Sequence, residues 1–503
     1  MLPSSLDNPK FSYAAVFLSA AALYVLTCAP GVLWQDSGMI QYRIWHNDIE
    51  GGLGLASAHP LFYIIAIGVK YIPLGEFTYR VNLVTAIAGA VTVANLFLLL
   101  RLWLGKNLPA VIGAASLAFS HTFWQHACVV ETYTLYTVLL TAEMIVLLQY
   151  ARTRQIGYLY LLGLFNGLSI SDHMFGSLSF LCYAVFLIVL LMRRYIHLRH
   201  LVPIIILWLI GFAPYAYLII REMIETGNIT AAISSALFGR GWQKSVLNVG
   251  ISVRLIKENL ILIAYNFPTP TALLFIAGLW GLGRVSPGRS FSNIVIVLLV
   301  MFLLFAFRYT VPDRYAFFIP FYCMVALLIG VGFEVFLSRH NRSSLGKMAL
   351  VLTLLPISVY VVAPYIAQKV HFAIPSKREI PYRSNYTWFL QPWKQGYNGP
   401  EKFAQEAMET AHKPAIIIAD GTTVYPLWYV QTCKGKGSDV KVLSTHGSYQ
   451  NSIPFPTEQN IEQLLAGYSI YVVSPIRGYC PQFLLERYDF VQSDGIWKLR
   501  GRK

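Results

Sequence analysis

Apolar runs of roughly 17–25 residues recur about eleven times along this chain, each bounded by charges or turn residues. A helix needs about 20 apolar residues to cross the ~30 Å hydrocarbon core of a bilayer, where a backbone can satisfy itself only as a helix or a closed barrel. The runs lie near 11–33, 77–104, 108–128, 132–151, 156–172, 174–192, 201–220, 266–283, 291–307, 315–337 and 347–367. They predict a polytopic α-helical membrane protein. Composition agrees, with 56% of the 503 residues hydrophobic and 13% charged, against about 25% charged in soluble chains. That balance excludes a soluble enzyme, a disordered regulator and a nucleic-acid binder.

The net charge of +15 would suggest a nucleic-acid partner in a soluble chain. Here the basic residues sit between apolar runs, as they do in the cytoplasmic loops of multi-pass proteins. With the N-terminus cytoplasmic, the internal loops hold Arg101 and Lys106; Arg152 and Arg154; Arg193, Arg194 and Arg199; Arg284 and Arg289; Arg339, Arg342 and Lys347. The short outside turns near Glu131 and Asp172 carry no Lys or Arg. The first run could pass for a signal peptide, with Cys28-Ala29-Pro30 as its processing site, but only Lys10 precedes it and it exceeds 20 residues. It reads as a span. The apolar stretch from His59 to Pro73, about 15 residues, is short for a span and reads as a juxtamembrane or re-entrant helix in a first external loop at about 34–76. Counting it as a span would put every basic cluster outside.

An odd number of spans places the tail on the external side, and the chain divides into a membrane domain at 1–370 and an extracytoplasmic domain at 371–503. In the tail, 414–420, 438–444 and 468–475 read as short buried strands, 457–467 as a helix, and 490–499 as a hairpin around Asp494-Gly495, which together predict a small α/β domain. No glycine-rich phosphate loop follows a strand, so a nucleotide site is not expected. Cys433 and Cys480 both fall in this domain and could pair in an oxidising compartment. Tyr425, Trp428, Tyr429 and Trp497 offer either flat apolar surface for a sugar or peptide or core packing.

Given that topology, ionisable groups gather on the external side: Asp36, His59 and Arg80 in and after the first loop, Glu131, then Asp172 with His173, then Arg308, Asp313 and Arg314. Charge at membrane depth costs about 2.5–3.5 kcal/mol per residue on insertion scales, so such groups persist where they line a wet cavity or pair. Each also has a plain reading as a helix cap, a turn residue, a surface ion pair or a snorkelling side chain. Asp36, Asp48, His59 and His173 are of metal-ligand type, but their spacing matches no dedicated site.

In order, the segments WQDSG (34–38), AHP (58–60), YRVNLVTAIAGAV (79–91), FWQHACVVETYTL (123–135), GLSISDH (167–173) and PYAYLIIR (214–221) resemble the GT-C superfamily of polyprenyl-phosphate-sugar-dependent membrane glycosyltransferases. The likeness is to its transmembrane protein 260-like branch, related to protein O-mannosyltransferases. Met39 and Leu61-Phe62 depart from the family pattern. The resemblance implies a GT-C fold and an inverting transfer of a sugar, with mannose as candidate, from a polyprenyl phosphate to a hydroxyl on an exported protein or glycan. It implies Asp36 as catalytic carboxylate, with Glu131 a second catalytic candidate. His59, Arg80, His173, Arg221, Arg308, Asp313 and Arg314 are then substrate-binding candidates, arginine being suited to phosphate by its planar fork. No metal or other cofactor is expected beyond the lipid-linked donor, a divalent ion being the less favoured alternative. In a bacterium the location would be the inner membrane. A lipid-modifying enzyme of the lipid A type and a transporter or flippase are the competing readings, although the inverted repeats of transporters are not evident.

Overall fold

The computed structural model describes residues 8–285, 287–311, 313–340, 343–374, 379–445 and 453–503. The helices, in chain order, are α1 (Pro9–Thr27), α2 (Gln35–Trp45), α3 (Pro60–Lys70), α4 (Phe77–Leu104), α5 (Asn107–Ala118), α6 (His121–Cys128), α7 (Tyr133–Thr153), α8 (Gly157–Asp172), α9 (Phe175–Met192), α10 (Leu198–Thr226), α11 (Ile229–Phe238) and α12 (Gln243–Val246). They continue with α13 (Val253–Asn266), α14 (Leu274–Val285), α15 (Arg289–Arg308), α16 (Ile319–His340) and α17 (Ser343–Lys369). Among the described residues, eight helices are long and apolar enough to cross a bilayer. Helices α13 and α14 would make a ninth span, bent by 110° where Pro268 and Pro270 deny the backbone its ladder bonds. The spans expected near 108–128 and 156–172 are carried by the shorter α5, α6 and α8, so length and composition support eight or nine of the eleven. The His59–Pro73 stretch forms α3, only 11 residues long.

The bundle has a polar skeleton within its apolar packing. Glu143 of α7 is fully buried and accepts from Ser169 (2.6 Å) and Asn166 of α8 and from Tyr183 of α9 (2.9 Å). Asn166 in turn accepts from Trp208 of α10, so one carboxylate network ties four helices. Hydrocarbon offers no competing water, so these bonds fix helix rotation as well as contact. The basic loops collect at one end: Arg152 donates to the Trp103 carbonyl, Trp103 to the Val285 carbonyl, and Lys106 pairs with Glu334 at 2.6 Å. The side chains of Arg339 and Arg342 lie outside the described residues.

At the opposite end sits the C-terminal domain, with α18 (Asn385–Leu390), α19 (Gly399–Thr410), β1 (Ala415–Ala419), α20 (Val424–Lys434), β2 (Val440–Ser444), α21 (Ile461–Gly467), β3 (Ser469–Val472), α22 (Gln482–Arg487), β4 (Tyr488–Ser493) and β5 (Ile496–Arg502). The sheet order is β2-β1-β3-β5-β4, parallel among the first three strands and antiparallel through β5 and β4. Strand β1 is buried on both faces, as a central parallel strand should be. Its Ile417 joins α19, α20 and the membrane-domain residues Trp34, Phe62 and Val81 in one core, whereas Ile416 and Ile418 join α21 and α22 in another. Cys433 lies against the first core and Cys480 in the second. The sheet separates them and both are free thiols, so the pairing that the sequence left open does not form. Tyr425, Trp428 and Tyr429 of α20 are buried in the first core, which makes them packing residues rather than open surface.

Candidate active site

The loop leaving α1 is stapled before it reaches Asp36. Gln41 and Asn82, both fully buried, share a 2.9 Å hydrogen bond and between them donate to the carbonyls of Ala29 and Gly31. Gln41 also accepts from the Leu33 amide. Gln35, at φ +57°, turns the chain into α2 and places Asp36 in its first turn. A second staple, Thr85 to the Val129 carbonyl at 2.9 Å with the Ala29 amide on the Cys128 carbonyl, fixes the segment before α7 that carries Glu131. Ser37 then donates to Glu131 at 3.1 Å, joining the two segments directly.

Asp36, Glu131 and Asp313 are half-buried at the domain end of the bundle and feel one another's charge. Burial first, and then Asp313, push the Asp36 carboxyl up to about 7. Burial, then Asp36 and Asp313, hold Glu131 well above the usual carboxylate range. Three acids that cannot all ionise together divide into a base and proton holders. Tyr133 and Tyr315 interact electrostatically with all three, and His126 packs between these two rings at 5.3 and 5.6 Å.

His59 and His173 form a second group behind Tyr133. Their rings lie 4.9 Å apart, and His173 lies 5.1 Å from Tyr133. Burial lowers the His59 imidazole to about 4 and His173 well below its usual value, so both are neutral. Nδ1 of His59 faces the Asp172 carbonyl at 2.7 Å and therefore carries the proton. Nδ1 of His173 accepts from the Phe175 amide, which puts its proton on Nε2. Arg43, absent from the sequence-level candidates, is 3% exposed. It gathers the first loop by donating to the carbonyls of Ile49, Ser57 and Ala58, pairing with Asp48 at 3.6 Å and lying 3.9 Å over Tyr63.

The arginine candidates are not gathered on the carboxylates. Arg80 donates to the carbonyls of Lys70, Leu74 and Gly75 and ties down the end of α3. Arg221 pairs with Glu50 and Glu225, and Arg308 donates to the carbonyls of Val246 and Asn248. Arg314, next to Asp313, pairs with Glu258 at 2.6 Å and with Asn259. With Arg254, Glu258, Ser252 and Thr310 it lines a cavity of about 650 Å³. Sequence reading missed Arg254, Glu258, Ser37, Tyr133 and Tyr315. Ser37, Tyr133 and Tyr315 carried a signal, each lying within two residues of a candidate carboxylate. Among the described residues no three His, Cys, Asp or Glu side chains gather as a metal site.

Residues 53–198 match the family described as the protein O-mannosyl-transferase TMEM260 N-terminal domain. Protein O-mannosyl-transferase TMEM260 of Mus musculus is 26% identical over 231 residues, 45% of this chain and 32% of that protein. The chain thus spans about a third of the length of that relative. ArnT from Cupriavidus metallidurans, solved in the apo state, matches over 98% of both chains with a TM-score of 0.59 at 13% identity. The same protein bound to undecaprenyl phosphate matches over 97% of this chain and 98% of that chain with a TM-score of 0.57 at 12% identity. The fold is of the GT-C type, and the family match at 53–198 covers the motifs from AHP (58–60) to GLSISDH (167–173).

Proposed function

We propose that this chain is an inverting membrane glycosyltransferase that moves a sugar, with mannose as candidate, from a polyprenyl phosphate to a hydroxyl on an exported protein or glycan. The observation that carries this reading is the group of three half-buried acids, Asp36, Glu131 and Asp313, at the domain end of the bundle. An acceptor hydroxyl gains nucleophilicity as its proton leaves, and Asp36, titrating near neutrality, is suited to take it. Glu131, held protonated, donates a hydrogen bond to a sugar hydroxyl rather than competing for the proton. The departing lipid phosphate needs charge stabilisation, which the cavity beside Asp313 supplies through Arg254 and Arg314. A phosphate there would share Arg314 with Glu258. Direct displacement inverts the anomeric carbon. The reading assigns no step to a metal, and activity in EDTA is its expected consequence. It places the domain end, and the C-terminal domain, outside the bilayer, on the inner membrane in a bacterium.

The test is transfer of labelled sugar from polyprenyl-phosphate mannose and polyprenyl-phosphate glucose, by wild type and Asp36→Asn of matched thermal stability. Loss of a general base should cost about 10²–10⁴-fold. Transfer that survives in Asp36→Asn moves the base to Glu131 or Asp313. Transfer only to lipid acceptors would turn the reading to a lipid-modifying enzyme, and no transfer from any donor would end the enzymatic reading in favour of a transporter.

A further inference from the structure

Between α10 and α13 the chain leaves the bundle for a stretch that the carboxylate group does not use. Helix α11 follows Asn228, whose side chain caps it by accepting from the Ala231 amide. One face docks: Ala232, Ser235 and Ala236 are buried, Ser235 accepts from the Leu55 amide, and the Ala236 carbonyl accepts from Tyr215. The next face is bare. Ile229, Ile233 and Leu237, spaced four residues apart, are 62, 45 and 50% exposed, and Trp242, Leu247 and Val249 further along the chain are exposed too. Four-residue spacing sets such side chains in one stripe along a helix. A stripe of this kind at the end of a span, next to basic residues, is the composition of a segment lying in the bilayer interface.

Round the helix from the stripe is a cavity of about 570 Å³ lined by Glu222, Ser234, Ser235, Arg240, Gln243 and Lys244. It holds two cations and one acid. Arg240 pairs with Glu222 through Oε1 at 3.1 Å. Oε2 of Glu222 is buried without a hydrogen-bond partner, in a residue only 5% exposed. A buried carboxylate oxygen left unmet is costly, and Glu222 is among the residues that line the cavity. The cavity therefore offers donors for an anion and one acceptor for a cation, on the same helix as an exposed apolar stripe.

We propose that this cavity binds the headgroup of a phospholipid bearing a primary ammonium, as in phosphatidylethanolamine. Its phosphodiester meets Arg240 and Lys244, its ammonium donates to Oε2 of Glu222, and its acyl chains run along Ile229, Ile233 and Leu237. The site is separate from the cavity beside Asp313, and the proposal stands whether or not the chain transfers sugar.

The full-length protein, carried from nanodiscs of equimolar phosphatidylethanolamine, phosphatidylcholine and phosphatidylglycerol into detergent, would be read by native mass spectrometry for retained lipid. Phosphatidylethanolamine should be retained several-fold over phosphatidylcholine, whose trimethylated headgroup has no N–H to give. Glu222→Gln should erase that preference, and Lys244→Ala should weaken retention of all three lipids while leaving the preference. Among the described residues Lys244 makes no side-chain hydrogen bond or ion pair, so this variant keeps the test open if Glu222→Gln does not fold. Equal retention of phosphatidylethanolamine and phosphatidylcholine by wild type would overturn the proposal, as would a preference for phosphatidylglycerol or one unchanged in Glu222→Gln. Displacement of the lipid by soluble glycerophosphoethanolamine at equal concentration would overturn the part given to the acyl chains along Ile229, Ile233 and Leu237.

Discussion

A carboxylate serves as a base near neutral pH only when something raises its proton affinity, and at Asp36 two causes act together. Burial comes first and the charge of Asp313 second, and they carry the group to about 7. The sign of the second cause is testable. A general base works deprotonated, so turnover should rise with pH through about 7 in wild type and level above it. Asp313→Asn removes a negative neighbour and should move that rising limb to lower pH, while Asp313→Glu should leave it near its place. A pH profile of kcat/KM checks this, and a limb that stays fixed in Asp313→Asn would take the base role from Asp36. Two turns along the same helix, Arg43 holds the first loop by three carbonyls and the Tyr63 ring. Lysine has neither the fork nor the plane for that set. Arg43→Lys should therefore lower kcat by about 10²-fold, the scale of a 1 Å misplacement of reacting groups. Melting should move little and the 46–58 loop should become open to proteolysis, whereas an unchanged kcat would make Arg43 a bystander.

Helix contacts in the membrane rest on small residues, and the contact between α14 and α16 is the closest case. A Cβ on Gly332 would run into the Leu274 carbonyl, and one on Gly278 into the Leu328 carbonyl. Backbone cannot swing aside as a side chain can. Gly332→Ala should therefore cost about 1–3 kcal/mol, the usual penalty of overpacking, and lower the melting temperature in detergent. Gly283→Ala on the same α14, where a Cβ meets nothing within 4 Å, should leave it unchanged, and equal melting of the two variants would show that the helices can part freely. Elements also differ in how far they were legible. Long apolar spans, the three parallel strands and the Asp494-Gly495 hairpin carry their signal in local pattern. Helix α8 also coincides with its apolar run at 156–172, whereas the run at 108–128 is divided into α5 and α6 at Phe119 and Ser120, a break that apolar composition does not show. Helix α20 went unread because it is buried along Val424–Val430, which hides any 3.6-residue alternation, whereas α19 buries Phe403, Ala404, Ala407 and Met408 at helical spacing and was legible but missed. Among site residues, the acids stood out as charges at the ends of spans. The arginines were legible as charges but not as neighbours, because a carbonyl partner such as that of Leu74 for Arg80 leaves no trace in sequence.

On the scale of the whole molecule, the C-terminal domain is a wall of the site rather than a tethered neighbour. The Gln35 amide donates to the Thr422 carbonyl at 3.0 Å, and the Trp34 indole donates to the Tyr397 hydroxyl at 3.0 Å. Tyr42 packs on Trp428 with ring centroids 5.3 Å apart, and Lys434 pairs with Glu76 at 3.0 Å. The helix that carries Asp36 is thus clamped between α4 below and α20 above. Such a helix of 11 residues would be marginal alone, so its order is borrowed from both neighbours. Trp428→Ala opens a void at that junction without touching any acid. It should raise hydrogen exchange across α2 and lower kcat at least tenfold, with the pH limb still near about 7 because the electrostatics of Asp36 and Asp313 are intact. Val491→Ser, on the exposed face of β4, should change neither reading. Normal turnover and unchanged α2 exchange in Trp428→Ala would mean that the bundle alone orders α2 and that the domain only rides on it.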